Sequence, residues 1–265
     1  MTLPAQVPSV RLPAGRMPQV GFGTWKLRGD QARAAVTAAL SVGYRHIDTA
    51  TMYGNEQEVG DALAASDVDR SDVFLTTKIR PSDLGQERAV LRRSLRALGT
   101  DYLDLWLVHW PPSRASGRRQ LWNELLAVQT EGYVRDVGVS NFSLAEIDEL
   151  TKATGRAPAV NQIDFGPRRY DARLLAGHAE RGIVVEGFSG LKNTDLADPV
   201  LARIAAAHGK TTAQIVLRWH LEHDVIVIPK SANPDRIAAN INLSGFRLTA
   251  EDVAAIDSLA GARRQ

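Results

Sequence analysis

The sequence predicts an α/β protein: one (β/α)8 TIM barrel over residues 1–265, with an N-terminal β-hairpin at the barrel bottom. Three observations predict it. Short, apolar, β-rich runs alternate strictly with Ala/Leu/Arg-rich runs of helical spacing. The β runs are nearly continuous hydrophobics rather than alternating ones, as in a parallel sheet covered by helices on both faces. Eight such units follow one another without a composition break, and 265 residues match the roughly 250 that a closed barrel takes.

The elements are read in order. Residues 9–20 (SVRLPAGRMPQV) form a hairpin, with Ala14-Gly15 as its turn, placed to plug the barrel bottom. GFGTW (21–25) is the first strand. GYRHID (43–48), DVFLTTK (72–78), YLDLWLVH (102–109), YVRDVGVS (133–140), PAVNQ (158–162), GIVVEGFS (182–189) and DVIVIPKS (224–231) are the other seven. Helical runs cover 30–43, 55–66, 84–99, 118–132, 143–155, 171–182, 198–209 and 211–223, and another begins after Asn233. Gly43, Gly99, Gly132, Gly155, Gly182 and Gly209 each close a run, where a left-handed cap is wanted. Asp30, Ser143 and Thr211 are candidate N-caps, and Glu146 completes a capping box with Ser143.

Composition narrows the function. Lys plus Arg is 32 against 30 for Asp plus Glu, which excludes a strongly basic nucleic-acid binder and an acidic solvating tail. The chain has no cysteine, so disulfide frameworks, thiolate nucleophiles and Cys-based zinc sites are excluded. Its histidines show no ligand spacing such as HxxxH within one element, and no metal is expected. The N-terminus has prolines and no apolar core of signal-peptide length. No apolar run approaches the roughly 18 residues of a membrane span. The expectation is a cytoplasmic monomer with no membrane or nucleic-acid partner. Only six residues are Lys (26, 78, 152, 192, 210 and 230), so their positions are informative.

A closed barrel gathers its functional groups at the C-terminal ends of the strands. Those ends carry Asp48, Lys78, His109, Ser140-Asn141, Gln162, Ser189 and Lys230-Ser231. Alternation aims some of them inward: Leu103, Leu105, Leu107 and His109 share one face, as do Ile226, Ile228 and Lys230. GFGTWK (21–26) fails as a dinucleotide fingerprint because Lys26 stands at its third glycine. IPKSANPDRIAAN (228–240) offers a different anion site. Lys230 and Ser231 precede a helix capped by Asn233 with Pro234 in its first turn, where free N–H groups and the helix dipole favour an anion. Arg236 can complete the grip on a phosphate.

At these residues the sequence resembles the aldo-keto reductases. The motifs are GYRHIDTATMYGNEQEVG (43–60), LTTKI (75–79), LDLWLVHWP (103–111), VGVSNF (137–142) and IPKS (228–231). The resemblance runs from the hairpin to about Leu259 and is nearest the bacterial branch that contains diketogluconate reductases. It implies NADPH-dependent reduction of aldehyde or ketone carbonyls. It places Asp48, Tyr53, Lys78 and His109 in the catalytic tetrad. Tyr53 would be the general acid, its pKa lowered by Lys78, which Asp48 holds charged and aimed. His109 would orient the carbonyl. Gly23, Thr24, Trp25, Asp48, Ser140, Asn141, Gln162, Phe188, Ser189 and Leu191 would border the cofactor, with Phe188 standing where the family usually stacks a Tyr. Lys230, Ser231 and Arg236 would take the adenosine 2′-phosphate, and Asn240 the adenine. Trp25, Tyr53, His109 and Trp110 would meet the substrate.

The sequence departs from the family pattern at Ala239, usually Glu, at Gly190, usually Pro, and after Ile163 in NQIDFGP (161–167). Taken alone, Asp48 also reads as a turn cap, Tyr53 as a packed loop aromatic and His109 as a buried imidazole. His46, Trp106, Trp122 and Trp219 read as core. Two other functions stay open: a non-catalytic NADPH-binding sensor, and a Schiff-base aldolase using Lys78. Little chain follows Leu259 and the segment between Pro111 and Arg118 is short. A sparsely covered mouth and a permissive substrate site are therefore expected.

Overall fold

The structure is a computed structural model that describes residues 7–261. The predicted boundaries at residues 1 and 265, and the leader reading at residues 1–6, lie outside the described residues. Eight parallel strands follow one another around the sheet: β3 (Phe22–Gly23), β4 (His46–Asp48), β5 (Phe74–Ile79), β6 (Leu103–Val108), β7 (Val134–Ser140), β8 (Val160–Asp164), β9 (Val184–Phe188) and β10 (Ile226–Val227). Closure comes from a parallel bridge between Val20 and Val227. Gly21 N donates to Val227 O at 2.8 Å and Val227 N donates to Gln19 O at 2.9 Å. The first and last strands are each two residues long. Gly23 permits the closure: a Cβ there would lie 2.6 Å from the Ile228 carbonyl oxygen.

The hairpin pairs β1 (Ser9–Leu12) with β2 (Gly15–Pro18). Its turn is Pro13-Ala14, one residue earlier than expected, since Gly15 pairs with Leu12 and opens the second strand. Leu12 and Met17 pack with Leu105, Leu107, Val160 and Ile226, so the hairpin fills the barrel bottom. Ala14 N donates to Asp136 Oδ2 at 3.2 Å and ties the turn down.

The helices are α1 (Gly29–Ser41), α2 (Glu56–Ala64), α3 (Glu87–Leu98), α4 (Ala115–Thr130), α5 (Leu144–Thr154), α6 (Ala172–Ala179), α7 (Pro199–His208), α8 (Thr212–Glu222), α9 (Pro234–Ile241) and α10 (Ala250–Asp257). Ser143 and Thr211 cap α5 and α8 with reciprocal boxes. Asp30 does not cap α1; Arg28 stands at the N-cap without a side-chain bond, and Asp30 lies in the first turn. The six glycines expected to end helices all have positive φ. The sequence reading did not anticipate α10. It docks Ile256 into a cluster with Leu201, Trp219 and Leu248. Trp106, Trp122 and Trp219 are fully buried, as expected. Among the described residues, no helix is long and apolar enough to cross a membrane.

Candidate active site

The C-terminal strand ends open onto one cavity of about 590 Å³. Asp48 lines its floor, and Lys78 lies directly behind it, off the cavity wall. Both are buried, and Lys78 Nζ donates to Asp48 Oδ1 and Oδ2 at 2.7 and 2.6 Å and to Thr49 O at 2.8 Å. The same ammonium lies 3.4 Å from the Tyr53 hydroxyl. His109 meets the Tyr53 ring edge-on, centroids 5.7 Å apart. The four residues of the expected tetrad are thus in one cluster.

Local structure places Tyr53. A 3-10 turn (Thr51–Tyr53) follows β4 and ends at Gly54, whose φ of 63° suits glycine. Thr51 Oγ1 donates to Lys78 O at 3.0 Å, and Arg28 Nη1 donates to Tyr53 O at 2.6 Å. Beneath the turn, buried Asn55 donates to Thr24 O and Leu27 O at 2.9 and 3.0 Å and accepts from Thr49 Oγ1 at 2.7 Å. The sequence reading missed Asn55. Its signal was a turn-forming amide beside Gly54 in YGNE, which stitches the loop after β3 to the loop after β4.

Burial and charge set the protonation states. Burial pulls the Lys78 ammonium down, but Asp48, Tyr53 and Glu186 outweigh it and hold the pKa above the ordinary lysine value. Burial pushes the Tyr53 phenol up more than Lys78 pulls it down. This corrects the sequence expectation of a lowered value: the hydroxyl is protonated at neutral pH. Burial, with Lys78 second, pushes His109 down to about 3, so its ring is neutral. Its Nδ1 is buried without a partner.

The walls carry most of the other expected groups. Gly23, Trp25, Trp110, Ser140, Asn141, Gln162, Phe188, Ser189, Leu191 and Lys230 line the cavity. Asn141 Nδ2 donates to His109 O and Ser140 Oγ, both at 3.0 Å, while Ser140 Oγ donates to Gln162 O at 2.9 Å. Thr24 stands back from the cavity; its hydroxyl and N–H both donate to Asp48 O at 3.0 Å. Ser231, Arg236 and Asn240 lie beyond the cavity on the α9 side. Arg236 Nε approaches Ser231 Oγ at 3.3 Å. Fewer backbone donors are free there than expected. Pro234 has no N–H, the Arg236 N–H donates to Asn233 Oδ1 at 3.0 Å, and the Asn233 N–H donates to Ser231 Oγ at 3.1 Å. An anion would be held mainly by the side chains of Lys230, Ser231 and Arg236.

Lys26, Met52, Lys192 and His220 also line the cavity and were not anticipated. Lys26 and Lys192 sit over the Trp25 ring, their Nζ atoms 4.6 and 5.1 Å from its centroid. Gly190, where a proline was noted as missing, has no room for a side chain: a Cβ would lie 2.8 Å from the His220 ring. Among the described residues, no cluster of three or more His, Asp or Glu could hold a metal ion.

The chain and its fold have clear counterparts among known proteins. Residues 19–260 match the model of the aldo/keto reductase family. The chain is 41% identical to methylglyoxal reductase DkgA of Salmonella typhimurium, over 96% of this chain and 94% of that one. A solved aldo/keto reductase from Brucella melitensis superposes with a TM-score of 0.93 at 43% identity, covering 96% of this chain and all of that one. A variant of Gox0644 solved in complex with NADPH superposes with a TM-score of 0.92 at 35% identity, covering 97% and 94% of the two chains. With the family model spanning nearly the whole barrel, the chain belongs to the aldo-keto reductase family.

Proposed function

We propose that this barrel mouth reduces aldehyde or ketone carbonyls to alcohols with NADPH, Tyr53 serving as the acid. The observation that carries the reading is the Asp48–Lys78–Tyr53 chain beside a neutral His109. A donor set suited to the cofactor surrounds it: amide and hydroxyl groups of Ser140, Asn141 and Gln162 for a carboxamide, the Phe188 ring for stacking, and Lys230, Ser231 and Arg236 for a phosphate. When bound, the reduced nicotinamide supplies the hydride. The protein supplies the proton and the geometry. Tyr53 is protonated at neutral pH, so its hydroxyl can donate to the carbonyl oxygen. The tyrosinate left behind is stabilised by the Lys78 ammonium 3.4 Å away. Asp48 keeps that ammonium charged and pointed upward. A neutral His109 offers one N–H to orient the carbonyl, and Trp25 and Trp110 form aromatic walls for the rest of the substrate.

The aldolase reading is weaker on the same geometry. Lys78 is not on the cavity wall, and its ammonium is locked in an ion pair, so no free amine is presented. The reading takes the chain as one barrel domain acting as a monomer, because one chain builds the cavity, and places it in the cytoplasm. It leaves nucleic acid out as a partner because the net charge is only +2. Light scattering that showed a stable dimer would overturn the monomer. The central test is NADPH oxidation with a panel of carbonyls, including small 2-oxoaldehydes of the kind for which the Salmonella relative is named. Tyr53→Phe should lose roughly 10²–10⁴-fold in kcat. Equal turnover by the two proteins would overturn the assigned acid.

A further inference from the structure

Beneath the catalytic ion pair the barrel interior is polar. Glu186 stands in the middle of β9 and is fully buried. Gln162 Nε2 donates to Asp48 Oδ2 at 2.9 Å and to Glu186 Oε2 at 2.8 Å. One atom facing two carboxyl groups is the amide nitrogen, and both its protons are committed. Gln162 is therefore left to offer its carbonyl oxygen to the cavity it lines. The other Glu186 oxygen, Oε1, has no hydrogen-bond partner and lies 3.5 Å from His46 Nε2. His46 Nδ1 faces the Pro18 carbonyl at 3.3 Å. A carbonyl only accepts, so the ring proton belongs on Nδ1 and Nε2 is an acceptor. Thr76 Oγ1 also faces Nε2 at 3.5 Å, and an acceptor between the two suits a protonated carboxyl on Glu186.

We propose that Glu186 is a positioning residue for the cofactor: by anchoring the second N–H of Gln162, it fixes the plane of that amide and so which atom meets the nicotinamide carboxamide. The proposal rests on the NADPH reading above. Asp48 by itself fixes which end of the amide points inward. Two divergent anchors are needed to fix its plane. Charge gives the arrangement a second consequence. The groups facing Glu186 are His46 and Asp48 from β4, Lys78 from β5, Gln162 from β8, and Tyr53 from the turn after β4. Burial, then the Asp48 charge, push Glu186 up to about 8. His46 is pushed down to about 3 by burial and stays neutral from pH 6.5 to 9.5. Over that range Glu186 passes from neutral to anionic below the nicotinamide subsite. A negative charge there favours the cationic oxidised ring over the neutral reduced one.

The test is a fluorescence titration of wild type, Glu186→Gln and Glu186→Val with NADPH and with NADP+, read from quenching of Trp25 and Trp110 between pH 6.5 and 9.5. In wild type the ratio Kd(NADPH)/Kd(NADP+) should rise several-fold with pH. The 2′-phosphate is common to both forms and cancels in that ratio. Glu186→Gln keeps an acceptor for Gln162 but cannot ionise, so its affinities should stay near wild type and its ratio should be flat. Glu186→Val leaves a buried N–H unpaired, and both Kd values and the KM for NADPH should rise roughly tenfold, more than kcat falls. Wild-type affinity in Glu186→Val, or the same pH slope in Glu186→Gln as in wild type, would overturn the proposal. Failure of wild type to bind NADPH at all would overturn the cofactor reading and this proposal with it.

Discussion

Replacing Asp48 by Asn isolates what the buried ion pair contributes. Lys78 is 0% and Asp48 1% exposed, with the ammonium held by both carboxylate oxygens. Two unit charges about 4 Å apart at an effective dielectric of about 20 attract by about 4 kcal/mol. In Asp48→Asn the buried ammonium either stays charged without that partner or sheds its proton. Shedding it at pH 7 from an ordinary lysine pKa of about 10.4 costs about 4.6 kcal/mol, at 1.36 kcal/mol per unit. Both routes predict a loss of about 3–5 kcal/mol in unfolding free energy. The pH dependence separates them from a packing defect. In wild type the Lys78 pKa is raised, so its contribution is present below the unfolded value and is lost as pH rises through the folded one. In the variant the folded pKa falls below the unfolded value, so stability rises with pH up to about 10, by up to about 1.4 kcal/mol per unit. Ionisation of Glu186 would offset part of the loss, so the cleaner protein is Asp48→Asn with Glu186→Gln. Urea unfolding at pH 7, 8 and 9 is the assay. A deficit under about 1 kcal/mol at pH 7, or one that does not shrink by pH 9, would refute the reasoning.

Other consequences can be checked separately. Arg236→Ala should weaken NADPH binding by roughly tenfold or more and NADH hardly at all, because a charge-assisted bond contributes about 1.5–3 kcal/mol and Arg236 is exposed to screening salt; equal weakening of both cofactors would remove the 2′-phosphate assignment. The His109 ring, pushed down to about 3, should show no NMR titration between pH 5 and 8, and a midpoint near the ordinary histidine value would mean that burial and Lys78 do not control it. Trp25 and Trp110 are 41% and 50% exposed at the rim of the cavity, so turnover should extend across aliphatic and aromatic carbonyls; activity confined to one member of the panel would count against a permissive mouth.

The ring of polar strand ends was legible because barrel geometry assigns all eight C-terminal ends to one mouth, so Asp48, Lys78, His109, Asn141 and Gln162 could be grouped without any contact being known. Glu186 was not found by that rule because it stands mid-strand, although an ionisable residue inside GIVVEGFS is itself a signal. Lys26, Lys192 and His220 were hidden for another reason. They reach the cavity from three loops and helices far apart in sequence, and no period or motif links them. The overestimate of free N–H groups at α9 has a plain origin as well. Counting orphan donors at a helix start is easy, but Pro234 has none to give, the Asn233 side chain takes the Arg236 N–H and Ser231 Oγ takes the Asn233 N–H. The expected drop in the Tyr53 pKa followed from Lys78 alone, and the burial that outweighs it is a property of the packed barrel.

Backbone conformation gives an argument for the site that owes nothing to sequence resemblance. Among the described residues, four that are not glycine have positive φ: Lys26, Asn141, Ser189 and Asp224. The first three line the cavity. Such conformations persist only where the surroundings over-determine them, and they gather at ligand clamps. Asn141 shows how this is achieved here. Its φ of 64° is held by bonds from its side chain to His109 O and Ser140 Oγ and from its N–H to Gln162 O, which join three strand ends. Ser189 turns the chain so that Gly190 can pass over the His220 ring, where no Cβ fits. Lys26 turns so that its ammonium caps Trp25. The three strained residues lie on separate loops around one opening, and each aims a polar or aromatic group along its wall. Three such conformations around one opening mark it as the site independently of any motif.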